Sequence, residues 1–169
     1  MFTPYSNAKG AVFALTTARA DWLESVKEGI ESEHQDSFNR VERLVVKMET
    51  FDDEFGQIDD IDFIKMDIEG SELSVLEGGR RTLERQKPPI LIEAEKHCGE
   101  SSVRIFEFLE EIGYAAYYFR DGKLARTDKS ILDKMMDYLH SLDYPIDYRR
   151  YRDPKYIYNF VFSPPEKVR

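Results

Sequence analysis

Cysteine is almost absent from these 169 residues, and Cys98 stands alone. A single thiol cannot close an internal disulfide, which removes the case for a bridge-stabilised secreted scaffold and makes a reducing compartment the expectation. Positive charge is also scarce: 24 Lys and Arg stand against 33 Asp and Glu, a net charge of −9. That balance argues against a general nucleic-acid or anionic-membrane surface. No apolar run approaches a membrane span, and Met1-Phe2-Thr3-Pro4-Tyr5 lacks the basic-then-apolar layout of a signal peptide. A cytoplasmic protein with neither nucleic acid nor membrane as partner is therefore expected. The histidines show no zinc-type spacing with cysteine, and the sequence contains neither a P-loop nor a nucleophile elbow.

What remains is ordinary globular material, 41% hydrophobic, enough for one domain over 1–169 with its own core. Its centre is the stretch Asp62 to Glu72. Ile61, Phe63, Ile64, Met66 and Ile68 form an almost continuous apolar run, the pattern of a strand covered on both faces in a parallel sheet. Lys65, Asp67 and Glu69 interrupt it, and isolated buried charge is expensive. Asp67 and Glu69 are therefore placed at the strand's open end.

A helix is expected from Ser71 to Arg85, with Leu73, Leu76, Arg80 and Leu83 on one face and Gly78-Gly79 letting it pack closely on the sheet. Pro88-Pro89 stop it, and Ile90 to Glu95 reads as a second buried strand. Strand, helix and strand with short links make a right-handed βαβ unit with parallel strands. Upstream, the pattern predicts a turn at Ser6 to Gly10, a strand at Ala11 to Leu15 and a helix around Trp22, Val26 and Ile30. A polar loop at 32–40, a strand at Arg43 to Met48 and a capped helical turn at Thr50 to Gly56 follow. Downstream come a helix from Ser101 or Ser102 to Gly113, an aromatic strand at Tyr114 to Arg120 and a hairpin at Asp121-Gly122 leading into Lys123 to Ala125. A helix at Ile131 to Leu142 and a strand at Tyr156 to Phe162 complete the chain.

Ligands of open α/β sheets bind beyond the carboxyl ends of the strands. The βαβ unit brings two loops to that edge, one with Asp67, Glu69 and Glu72 and the other with Glu93, Glu95 and His97. Such carboxylates with an imidazole can hold a divalent metal for hydrolysis, or take a proton from a substrate hydroxyl. For each residue alone, helix capping or plain solvent exposure is the commoner role, and only the clustering raises the functional case. The basic-aromatic run Tyr148 to Arg152 is read as a solvated turn.

The run from Phe63 to Gly78 closely resembles the "IK-D-EG-E--VL-G" signature of FkbM-type methyltransferases. Thr50-Phe51-Asp52-Asp53 resembles that family's "TLDD" segment, Pro89 to Glu93 its next strand, and Phe108 to Tyr114 its helix ending in "GY". The likeness is strong over residues 43–120. It implies an α/β, Rossmann-like class I methyltransferase sheet that uses S-adenosyl-L-methionine to methylate an oxygen of a sugar or other small-molecule acceptor. Residue by residue, it places Asp67 against cofactor or acceptor, with Glu69 and Glu93 shaping that pocket. The family's glycine-rich cofactor turn has no counterpart here, because the nine glycines include no G-x-G pair. The sheet is accordingly expected to be incomplete at its N-terminal side, with an unpaired edge that invites self-association. The alternative is a truncated, non-catalytic module that binds a partner chain through that edge or through its acidic face.

Overall fold

A computed structural model describes residues 2–8, 11–14, 38–43, 48–68, 70–95, 100–142 and 153–168. These fall into two compact units, Met1–Glu49 with Ile68–Ser71, and Thr50–Asp67 with Glu72–Arg169.

In the first unit, β1 (Phe2–Ala8), β2 (Ala11–Ala14) and β3 (Phe38–Arg43) form an antiparallel sheet in the order β2-β1-β3. Ser6 to Ala8, expected in a turn, pair instead with Phe13 to Ala11, so only Lys9-Gly10 separates the two strands. Phe38 and Arg40, expected in a loop, pair with β1, as does Arg43, the first residue of the expected strand. Pairing with β1 overrides the polar composition, as strand formation commonly depends on its partner more than on propensity. The helix expected around Trp22 to Ile30 lies outside the described residues, as do 44–47 of the expected strand.

The second unit begins with α1 (Phe51–Phe55), whose N-cap Thr50 accepts from the Asp53 N–H at 3.1 Å, the cap expected from sequence. Then come β4 (Ile64–Met66), α2 (Glu72–Glu77), α3 (Arg80–Gln86), β5 (Ile90–Glu93) and α4 (Glu100–Glu111). The chain continues through β6 (Ala115–Arg120), β7 (Lys123–Thr127), α5 (Ser130–His140) and β8 (Asn159–Ser163), and ends in a short 3-10 turn at Pro165–Lys167. No helix among the described residues is long and apolar enough to cross a membrane.

The sheet order is β4-β5-β8-β6-β7. β4 and β5 are parallel, and β8 runs antiparallel to both β5 and β6. β6 therefore points the same way as β4 and β5. Ile90, Phe162 and Ala116 stand at one level near the amino ends of those strands, and Met66, Ile92 and Phe160 stand at a level nearer the carboxyl ends. The core is built on this frame: Leu76, Ile90, Ile92, Leu109 and Phe160 are fully buried. Phe106 meets Phe160 and Phe162 edge-on at 5.1 and 4.9 Å, a favoured aromatic geometry.

Two expectations about the central stretch are corrected. β4 is three residues long and, among the described residues, stands at the edge of the sheet, with Phe63 53% exposed, so the apolar run is not a strand covered on both faces. The helix expected from Ser71 to Arg85 is two helices broken at Gly78-Gly79. A Cβ on Gly79 would meet the Phe51 side chain at 3.0 to 3.1 Å, and one on Gly78 would meet Thr50 at 3.4 Å. The glycine pair thus admits α1, not the sheet. Local signals fared better downstream. Gly113 closes α4 at φ 85, and Asp121 and Gly122, at φ 51 and 74, turn the β6–β7 hairpin in the left-handed conformation that two-residue loops favour.

Candidate functional site

Met66 and Ile92, both buried, form the last register pair of β4 and β5. Side chains alternate along a strand, so the next residues, Asp67 and Glu93, belong to the other face, on neighbouring strand ends about 5 Å apart. Asp67 is exposed and Glu93 half-buried. The βαβ arrangement thus brings two of the sequence-predicted carboxylates to one edge. Glu69 and His97 lie outside the described residues.

The Asp67 carboxylate accepts from Lys65 Nζ at 2.8 Å, and the two side chains remain 52% and 60% exposed. They lie two residues apart on one strand face, which explains the pairing. An ion pair this open to water contributes about 0–1 kcal/mol, so Asp67 is held weakly and can exchange Lys65 for another donor.

The sequence did not disclose the burial of Glu95. Two residues beyond β5, Glu95 is only 4% exposed and its carboxylate accepts from the Tyr156 hydroxyl. The Glu95 carbonyl accepts from Ser102 Oγ at 2.7 Å. Buried carboxylates need such partners, and here the partner lies 61 residues away, beyond the reach of any local pattern. Glu72, in the first turn of α2, is buried as well.

A second acidic group, Asp52, serves a different purpose. Its Oδ1 accepts from the Thr82 N–H at 2.8 Å and the Thr82 hydroxyl at 2.7 Å, while Oδ2 accepts from Arg81 N and Nε at 3.2 and 3.3 Å. Gly79, at the N-cap of α3, has no side chain to cap the helix, and Asp52 supplies that function from α1. Burial alone would raise the Asp52 carboxyl, but the hydrogen bonds from Thr82 and Arg81 outweigh it and hold the group below its ordinary value. Among the described residues, no group of three His, Cys, Asp or Glu side chains is placed to hold a metal ion, so the metal-dependent reading gains nothing from the geometry.

One parallel strand pair joined by helices, with acids at its carboxyl ends, within a mixed five-stranded sheet makes this unit a mixed α/β domain. Residues 2–145 match the family model described as the methyltransferase FkbM domain, and the chain belongs to that family of methyltransferases. The match reaches further toward the N-terminus than residues 43–120, where the motif resemblance is strongest. No curated protein and no solved structure matches the chain.

Proposed function

We propose that this chain is an S-adenosyl-L-methionine-dependent methyltransferase of Rossmann-like build that methylates a hydroxyl of a sugar or other small metabolite at the carboxyl edge of β4 and β5. The observation that carries this reading is the parallel β4–β5 pair within the family match, with Asp67 and Glu93 on adjacent strand ends. The donor chemistry supports it: ribose hydroxyls and an ammonium group are donors, and carboxylates accept only. Gly78 and Gly79 pack on Thr50 and Phe51, while Gly113 and Gly122 close turns.

In this reading Asp67, with Glu69 beside it in sequence, accepts from the cofactor's donors, and Asp67 and Glu93 orient the acceptor hydroxyl. The cofactor, when bound, supplies a methyl group made electrophilic by its sulfonium. The Asp67 carboxylate would accept the proton of the acceptor hydroxyl, and Glu93 would help to hold that oxygen in place. Positioning of this kind supplies much of the rate in group transfer. Lys65 holds the carboxylate in the resting protein and releases it at little cost.

Calorimetry of the full chain with S-adenosyl-L-methionine tests the reading. Binding is expected, weakened about tenfold in Asp67→Asn with the fold intact, the scale of one charge-assisted hydrogen bond. No binding by the folded chain defeats autonomous methyl transfer. A second reading draws on a specific feature: among the described residues β4 stands at the sheet edge with Phe63 half exposed, which suits a non-catalytic module that pairs with another chain or a second copy. A concentration-dependent mass by sedimentation, together with no cofactor binding, favours it.

A further inference from the structure

The five-stranded sheet of the second unit has two outer strands among the described residues, β4 at one edge and β7 at the other. An outer strand presents unpaired N–H and C=O groups along its free side. Large apolar side chains stand exposed at both edges. Phe63, 53% exposed, leads into β4, and Phe119 and Leu124, 67% and 36% exposed, are register partners on the β6–β7 hairpin. The register also puts them on one face of the sheet. Lys65 pairs with Leu91, Leu91 with Val161, Val161 with Tyr117 and Tyr117 with Arg126. Phe63 lies two residues from Lys65, Phe119 two from Tyr117 and Leu124 two from Arg126, and side chains two apart along a strand share a face.

The two edges differ in sign. The segment entering β4 carries Asp59, Asp60 and Asp62, all exposed. Asp59 is paired with Arg85 at 2.7 Å, whereas Asp60 and Asp62 have no ion-pair partner among the described residues. The base on β4, Lys65, is taken by Asp67 at 2.8 Å. The hairpin carries Arg120, Lys123 and Arg126, exposed and without ion-pair partners among the described residues, against the single acid Asp121 in its turn. Asp128, just beyond β7, already accepts from the Ser130 N–H at 2.8 Å. Charge on an outer strand commonly keeps it from pairing. Opposite signs on two edges act selectively instead. β4 against β4 sets acids near acids, β7 against β7 sets bases near bases, and like charges facing each other destabilise a strand pair. Only β4 against β7 brings unlike charges together.

We infer that the β7 edge of one copy docks the β4 edge of a second copy, head to tail. The second copy is the occupant because both complementary surfaces belong to this chain. Strand directions agree with it. β6 runs the same way as β4, and β7 runs opposite to β6, so two copies in the same orientation bring β4 to β7 antiparallel and continue the sheet. Phe63 of the second copy then lies on the same face as Phe119 and Leu124 of the first, and its Asp60 and Asp62 approach Lys123 and Arg126. Such a contact uses different surfaces on its two sides, so it repeats beyond two copies. The inference shares with the second reading above the open edge of β4, and nothing in it depends on methyl transfer. Calorimetry with the cofactor decides the proposed function, and sedimentation of charge variants decides this contact.

Sedimentation velocity of the 169-residue chain over a range of concentrations is the test. At low ionic strength the average mass is expected to rise past that of two copies, and association should weaken at least about threefold at about 1 M salt, where the screening length is about 3 Å. Lys123→Glu and Asp62→Lys, each at an exposed position, should keep the native unfolding midpoint and each weaken association about tenfold. An equimolar mixture of the two variants should regain it, because between them positions 62 and 123 carry opposite charges at every contact. A chain that stays monomeric at every concentration, growth that stops at a dimer, or a mixture that associates no better than either variant alone overturns the contact.

Discussion

Asp52 and Asp67 are the same residue type, fifteen positions apart, and each lies in a stretch resembling a family motif. Their surroundings make them opposites. Asp52 is 11% exposed and accepts from four donors of Arg81 and Thr82, so α1 and α3 are fastened through it. Asp67 is 52% exposed and accepts from the flexible end of Lys65. A carboxylate with every acceptor site taken is structural, because engaging it elsewhere would leave the donors of the buried Thr82 unpaired. One held by a solvated ammonium remains available. Motif resemblance alone does not separate these roles, and hydrogen-bond accounting does.

The largest effect that sharpens the contrast is expected at the saturated group. Asp52→Ala leaves the Thr82 and Arg81 donors unpaired and should lower stability by about 2–3 kcal/mol, measured by urea unfolding. A loss no greater than that of a typical surface substitution would sink the capping role. Acid should distinguish the group next. Its folded pKa lies below the ordinary 3.8, so its contribution is complete above the unfolded value and disappears as pH falls through the folded one. Stability of the native chain should therefore drop as pH falls below about 4, and Asp52→Asn should show a shallower drop over the same interval. The smallest effect belongs to the open pair: Lys65→Met should change stability by no more than about 0.5 kcal/mol. A larger loss would mean that Asp67 is fixed as firmly as Asp52 and that the proposed availability is wrong.

What the sequence disclosed follows the same division between local and distant causes. Thr50 as a cap, Gly113 as a helix end, Asp121-Gly122 as a hairpin turn and the order strand, helix, strand around Asp67 depend on neighbours within a few residues. All four were legible. The break at Gly78-Gly79 depends on Phe51, some 28 residues away, and the burial of Glu95 depends on Tyr156, 61 residues away. The edge position of β4 and the antiparallel sheet of β1 to β3 likewise depend on which strands meet. Periodicity carries no record of such partners. Of the candidate site, Asp67 and Glu93 were placed correctly at neighbouring strand ends, although β4 was expected to be buried on both faces and is not.

The most direct measurement is titration of the folded 169-residue chain with S-adenosyl-L-methionine in a calorimeter, native protein beside Asp67→Asn. The account predicts saturable binding by the native chain and affinity about tenfold weaker in the variant at equal thermal stability. Saturable binding that Asp67→Asn leaves unchanged, or no binding at all, contradicts the placement of the cofactor at the β4–β5 edge.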